Sequence, residues 1–94
     1  MNDVPESAAT PTTVVPDQDL DARGLNCPLP VLKTKVLLGR MSPGQLLRVT
    51  ATDPHATIDF EAYCARSGHE LVGTREVDGA IEFLIRRCAA PKRI

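Results

Sequence analysis

A cysteine flanked by prolines is the part of the sequence with the clearest capacity for chemistry. Cys27-Pro28-Leu29-Pro30 places a thiol directly before residues that suit a first helical turn, where backbone N–H groups have no partner within the helix. The positive end of a helix dipole stabilises anions. Cysteines in this position have thiol pKa values of roughly 3.5–7.5, compared with about 8.5 for a free thiol. The sequence therefore predicts a reactive thiolate at Cys27.

The neighbours of this cysteine support the same prediction. Pro28 and Pro30 fix φ and lack N–H donors, which leaves the N–H groups of Leu29 and Val31 with fewer competitors for an anion. Arg23 lies four residues upstream and is expected to add positive charge. The competing interpretation is a cysteine that packs in the core as a small hydrophobic side chain.

The pattern of thiols favours a carrier over a dithiol enzyme. The motif is not C-x-x-C and no resolving cysteine lies nearby in the chain, so a thioredoxin-type cycle is not expected. A single thiolate can accept sulfur as a persulfide and pass the outer sulfur on. We expect Cys64 to pack in the core and Cys88 to be exposed. We expect no metal site, because the cysteines and histidines lack paired ligand spacing.

The elements that must position Cys27 follow from hydrophobic periodicity and turn residues. The order β-α-β-α-β-β predicts an α/β (α+β) two-layer sandwich with a four-stranded mixed sheet and both helices on one face. The predicted elements are a strand at 20–22, a helix at 28–40, a strand at 46–52, a helix from Asp53-Pro54 to Gly68, and strands at 70–77 and 80–87 joined by Asp78-Gly79.

Each predicted helix has an apolar side and a polar side. We expect the polar residues Asp59, Glu61 and Arg66 of the second helix to face water. The expected buried positions are Val31, Thr34, Leu38 and Met41 in the first helix, and Thr57, Phe60, Tyr63 and Cys64 in the second.

Composition and charge limit the class of protein. The chain has 94 residues, which favours one domain, here predicted at 17–88 between an acidic, proline-rich disordered tail at 1–16 and a short tail at 89–94. Residues 1–22 contain five acidic side chains and no basic one, whereas the remainder contains seven acidic and eleven basic. Free thiols and the absence of a signal or membrane-spanning pattern predict a cytoplasmic protein, and we expect a monomer.

The segment from Leu20 to Pro30 resembles the signature of the TusA/SirA-like family of sulfur carriers. The resemblance covers roughly residues 18–87 and rests on a Cys-Pro-x-Pro core in an Arg-Gly-Leu context. Further matching positions are Pro43-Gly44, Asp53-Pro54, Cys64, the run from Gly68 to Leu71 and the closing hairpin. The resemblance implies the sandwich described above and a small sulfurtransferase without a cofactor other than a transient persulfide.

The same resemblance implies roles for individual residues and partners. Cys27 accepts sulfur from a cysteine desulfurase or rhodanese-like enzyme and passes it to a downstream protein, in transfer-RNA thiolation or a sulfur-oxidation relay. The supporting residues are Asp21, Arg23, Gly24, Pro28 and Pro30, and the candidates for partner binding are Leu29, Lys33 and Arg40. Leu29 occupies a position where some family members carry Glu.

Two other functions remain as alternatives. A basic body could bind nucleic acid or an acidic protein, but sheets that bind RNA display stacking aromatic residues, and only Phe60, Tyr63 and Phe83 are available. A thiol redox sensor is the other alternative, and it would need an external thiol. We expect no direct contact with nucleic acid and none with a membrane.

Overall fold

Four strands and two helices form the part of the chain that the structure, a computed structural model, describes, namely residues 15–90. The elements are β1 (Gln18–Ala22), α1 (Leu29–Leu38), β2 (Leu46–Ala51), α2 (Ala56–Ser67), β3 (Glu70–Val77) and β4 (Ala80–Arg86). The strand order is β1-β2-β4-β3, with β1 parallel to β2 and the other pairs antiparallel. The predicted β-α-β-α-β-β mixed sheet with both helices on one face is confirmed.

The core lies between the sheet and the helices. Alternate residues of β2 and β4 point toward the helices, and Val49 and Ile85 are completely buried there. Phe60 of α2 packs on Phe83 of β4 with ring centroids 4.5 Å apart. Each such side chain contributes about 1.5–3 kcal/mol through burial, so this contact fixes α2 on the sheet.

The opposite face of the sheet is polar. Arg48 on β2 forms an ion pair with Asp19 on β1 at 2.7 Å, and Arg75 on β3 forms one with Glu82 on β4 at 3.0 Å. These cross-strand pairs link neighbouring strands on the side that no helix covers.

The helices differ from the prediction at their ends. α1 begins at Leu29 and ends at Leu38, two residues before the predicted end, where Gly39 follows. α2 begins at Ala56 and not at Asp53-Pro54, because residues 53–55 form a turn closed by the Ala56 N–H on the Asp53 carbonyl at 3.0 Å.

The predicted burial of the helices is confirmed at most positions. Thr34, Leu38 and Met41 are buried, whereas Val31 and Thr57 are only half-buried. In α2 the buried residues are Ala56, Phe60, Tyr63, Cys64 and Ser67.

The turn residues behave as their types predict. Asp78 and Gly79 both have positive φ, 50° and 80°, which is the geometry of a two-residue hairpin that follows the twist of its strands. Gly68 ends α2 in the left-handed conformation with φ 92°. Within residues 15–90, no helix is long and apolar enough to cross a membrane. The predicted tail lies outside the described residues except for Val15 and Pro16, and the same is true of residues 91–94.

Candidate functional site around Cys27

Cys27 is an exposed free thiol at the start of α1. Its exposure contradicts the interpretation of a buried core cysteine. The peptide bond from Cys27 to Pro28 is cis, and Pro30, the second residue of the helix, is buried. The Leu32 N–H donates to the Pro28 carbonyl at 3.0 Å, so the helix begins immediately after the thiol. Pro30 thus anchors one side of this helical turn, while Cys27 and Pro28 are exposed.

Asp53 holds the backbone of the cysteine in place. Its carboxylate, between β2 and α2, accepts the N–H of Cys27 through one oxygen and the N–H of His55 through the other. These two bonds lower the pKa of Asp53, with the His55 N–H as the larger cause. The local sequence predicts Asp53 only as a helix cap. Its bond to the Cys27 N–H spans 26 residues and leaves no local pattern in the sequence. One carboxylate therefore joins the loop before α1 to the turn before α2.

The thiol opens onto a groove between the two helices. This groove has a volume of about 460 Å³, and most of its surface is apolar. Its lining residues are Cys27, Pro28, Val31, Leu32, Lys35, Asp59, Ala62, Tyr63 and Arg66. Asp59 lies at the thiol and Arg66 lies two turns further along α2. The groove is an apolar channel with an acid beside the cysteine and a cation further along.

The electrostatic environment of Cys27 is opposite to the prediction. A hydrogen bond to Asp59 raises the pKa of the Cys27 thiol, and the partial burial of the sulfur and the charges of Asp59 and Asp53 raise it further. The predicted lowering by the helix N-terminus is therefore wrong. One of the expected backbone donors is already engaged, since the Leu29 N–H donates to the Asn26 carbonyl at 2.8 Å. At rest the group is a thiol.

The prediction that Asp59 faces water is wrong. The residue is half-buried and lines the groove. The available signal was its position four residues before Tyr63, at the border of the buried stripe of α2. Glu61 and Arg66 are exposed, as predicted.

Arg23 does not provide the expected positive charge at the thiol. Its guanidinium binds the carboxylate of Asp21 through two hydrogen bonds of 2.9 and 3.1 Å, and this pair holds the pKa of Asp21 at about 2. Gly24 adopts φ 81° and donates its N–H to the Thr52 hydroxyl at 2.9 Å. Asp21, Arg23 and Gly24 thus shape the loop that leads to Cys27.

The candidates for partner binding lie on a different side of α1. Lys33 and Arg40 are exposed beside a second groove of about 380 Å³ between α1 and β1. Leu32 borders both grooves, and Leu29 is 44% exposed next to the thiol. Leu29 is close to the thiol only along the chain, and none of Leu29, Lys33 and Arg40 lines the groove that contains Cys27.

The other two cysteines lie elsewhere. Cys64 is buried in the core, as predicted, and burial raises its thiol pKa to about 11. Cys88 is half-buried rather than exposed; its sulfur lies 3.8 Å from the Ser67 carbonyl at the far end of α2. Its N–H donates to Nδ1 of His69 at 3.0 Å. No second thiol among the described residues lines the groove of Cys27.

The aromatic residues give no support for nucleic-acid stacking. Phe60, Tyr63 and Phe83 are all buried, and Phe60 and Phe83 pack on each other between sheet and helices. The polar face of the sheet, as far as residues 15–90 are concerned, displays ion pairs in place of the aromatic rings that such sheets use.

Comparison with known proteins identifies the family. A family model described as sulfurtransferase TusA matches residues 18–87. The sulfur carrier protein TusA of Allochromatium vinosum is 51% identical over 71 residues, which cover 76% of this chain and 93% of the relative. A putative sulfur carrier protein of Neisseria meningitidis is 44% identical over 69 residues, 73% of this chain and 93% of the relative.

A solved structure agrees with these matches. The crystal structure of a SirA-like protein from Desulfitobacterium hafniense superposes with a TM-score of 0.68 at 25% identity, over 76% of this chain and 97% of that one. The fold and the extent of the matched segment agree. The chain belongs to the TusA family of sulfurtransferases.

Proposed function

We propose that this protein carries sulfur as a persulfide on Cys27. The observation that supports the proposal most directly is the exposed thiol of Cys27 at the mouth of a groove between two helices. Relatives up to 51% identical are named sulfur carrier proteins, which gives the sulfur-relay function. Cys64 is buried and Cys88 is half-buried, so Cys27 is the thiol that a second protein reaches most easily.

The proposed reaction transfers one sulfane sulfur without net oxidation. The sulfur of Cys27 attacks the outer sulfur of a donor persulfide, and the sulfur–sulfur bond of the donor breaks. The donor leaves as a thiol and Cys27 becomes a persulfide. A downstream protein takes the outer sulfur in the reverse type of step, which returns Cys27 to a thiol.

The donor and acceptor in this proposal are proteins of the cytoplasm. A cysteine desulfurase or a rhodanese-like enzyme supplies the sulfur, and the acceptor belongs to transfer-RNA thiolation or to a sulfur-oxidation relay. The site residues in this proposal are Cys27 as the carrier, Pro28 and Pro30 at the start of the helix with Pro30 as the anchor of its first turn, and Leu29 as a contact for partners. We propose that the carrier acts as a monomer and uses no cofactor beyond the covalent persulfide.

The experiment that tests the proposal is sulfur loading followed by mass measurement. The protein is incubated with a cysteine desulfurase and cysteine, or with a rhodanese and thiosulfate, and the intact mass is recorded. We expect a gain of one sulfur atom in the wild type and in Cys88→Ser, and none in Cys27→Ser. The proposal fails if no donor produces this gain.

A further arm separates the carrier from the redox sensor. The wild type is exposed to hydrogen peroxide in the absence of any sulfur donor, and oxidation of Cys27 is followed by mass. Oxidation at Cys27 without any persulfide from either donor would favour the sensor.

A further inference from the structure

Two carboxylates approach Cys27, and they do different things. Asp53 accepts the backbone N–H of the cysteine through one oxygen and the His55 N–H through the other. Asp59 instead lines the same groove as the thiol, and it is the largest cause of the raised pKa of Cys27. The bond between Asp53 and Cys27 fixes the start of α2 against the thiol loop, and Asp59 in the first turn of α2 shares the groove with the sulfur.

The resting state of Cys27 creates a chemical requirement. A thiol is a poor nucleophile compared with its thiolate, and attack on a donor persulfide therefore needs removal of the proton. The two carboxylates favour the protonated form, so the thiolate is scarce at neutral pH. A group that takes the proton during the attack would remove this obstacle.

Asp59 is the group in the groove that can take this proton. Asp53 already accepts two N–H donors. Tyr63 is buried, and its raised pKa keeps the phenol protonated. The remaining ionisable side chains that line the groove are the basic residues Lys35 and Arg66. His55, the nearest imidazole in the sequence, is exposed and does not line this groove.

We infer that Asp59 is a catalytic residue of sulfur loading and accepts the proton of the Cys27 thiol as the sulfur attacks. This inference rests on the persulfide function proposed above. The Cys27 sulfur bonds to the outer sulfur of the donor persulfide, and the electron pair of the broken bond leaves on the inner sulfur of the donor. The proton held by Asp59 then passes to that thiolate, which departs as a thiol. Asp59 returns to a carboxylate, and neither oxidant nor reductant is consumed.

The test compares two reactions of the same thiol. Loading is measured by rapid quenching and mass spectrometry with glutathione persulfide as donor, so that no protein partner is involved. Alkylation by iodoacetamide at the same pH reports the supply of thiolate alone. The variants are Asp59→Asn, which keeps the shape of the side chain, Asp59→Glu, which keeps the carboxylate, and Glu61→Gln as a matched control at an exposed acid of the same helix.

The rates of the two reactions should change in opposite directions in Asp59→Asn. Loss of the carboxylate makes the thiolate more abundant, so alkylation becomes faster, while loss of the proton acceptor slows loading by about 100-fold, the lower end of general acid–base contributions. Asp59→Glu should recover part of the loading rate, and Glu61→Gln should leave both rates unchanged.

Two outcomes would overturn the inference. Loading that becomes faster together with alkylation would mean that Asp59 only keeps the thiol protonated. Loading and alkylation that both become slower would mean that Asp59 only maintains the shape of the groove. If the wild type fails to load at all, the proposed persulfide function is wrong, whereas a change in alkylation still shows that Asp59 contacts the thiol.

Discussion

A cysteine from another segment lies at each end of α2, and a comparison of the two ends explains why only one cysteine suits a carrier. The helix has 12 residues and is about 18 Å long. At its start, the Cys27 N–H donates to Asp53. At its end, the Cys88 N–H donates to His69. In both places an ionisable side chain from α2 or its flanking turns fixes the backbone of a cysteine from another part of the chain.

What surrounds the sulfur differs between the two ends. The sulfur of Cys27 is exposed and opens onto the groove beside Asp59. The sulfur of Cys88 lies against the Ser67 carbonyl and would lie 3.7 Å from a Cβ at Gly68. The same kind of backbone contact therefore accompanies an exposed sulfur at one end and a packed sulfur at the other. A fixed backbone is not sufficient for a carrier, because the sulfur also needs an open approach.

The largest expected effect is a difference in alkylation rate among the three thiols. In the native protein, iodoacetamide should modify Cys27 about 100-fold faster than Cys64, because Cys64 is buried and its pKa is raised to about 11. Cys88 should react at an intermediate rate. Peptide mapping by mass spectrometry gives the rates, and the protein in concentrated urea is the control, in which all three should react similarly. Equal rates for Cys27 and Cys88 in the native protein would contradict the comparison.

The second prediction concerns replacement of Asp53, the acid at the start of α2. Asp53→Asn should lower the melting temperature by roughly 4–8 °C, because the amide accepts the two N–H groups less well than the carboxylate. It should also shift the pH profile of Cys27 alkylation to lower pH, since the charge of Asp53 contributes to the raised pKa of that thiol. His69→Ala at the other end is the control and should leave this pH profile unchanged.

The lowered pKa of Asp53 also predicts how the stability of the protein changes at acidic pH. The pKa of Asp53 is lowered in the folded protein, so its stabilising contribution is complete above the ordinary Asp pKa of about 3.9 and is lost as the pH falls through the folded value. Urea unfolding at a series of pH values should show this loss in the wild type and a smaller one in Asp53→Asn. Identical pH dependence in both proteins would argue against the two backbone bonds.

A smaller effect is expected at the end of α2. Gly68→Ala should cost about 1–2 kcal/mol, because φ of 92° is unfavourable for a residue with a Cβ. The urea midpoint should fall while alkylation of Cys27 stays unchanged. Gly39→Ala is the matched control, because Gly39 ends α1 with an ordinary helical φ of −64°. A change in Cys27 reactivity in Gly68→Ala would show that the two ends are coupled.

The smallest effect is expected from the N-terminal segment. Deletion of residues 1–16 should leave sulfur loading unchanged, since the match to the TusA family model begins only at residue 18. The deletion retains Asp17, whose N–H and carboxylate bind the backbone of Leu46. Loss of loading on deletion would show that the segment takes part in the reaction.

The sequence predicted most of the fold because its signals are local. The alternation of Leu47, Val49 and Ala51 indicates a strand, and Asp78-Gly79 indicates a tight hairpin. The motif around Cys27 likewise marks the thiol and the start of α1 within a few residues. Each of these features depends on neighbours in the chain, so it could be read without coordinates.

The electrostatics of the thiol could not be predicted in this way. The prediction of a lowered thiol pKa used only the dipole of α1. The charged groups that raise the pKa of Cys27 come from α2 and the turn before it. Arg23 was the nearest cation in sequence, but it is bound to Asp21.

The sequence by itself therefore predicted the reactive thiol of Cys27 and the order of the elements around it. The tertiary structure decided that this sulfur rests as a thiol beside Asp59, since Asp59 is 32 positions away and reaches the sulfur only when α2 packs beside α1. Charges act through space and not along the chain, and a reactive group's neighbours are known only when distant segments have been brought together.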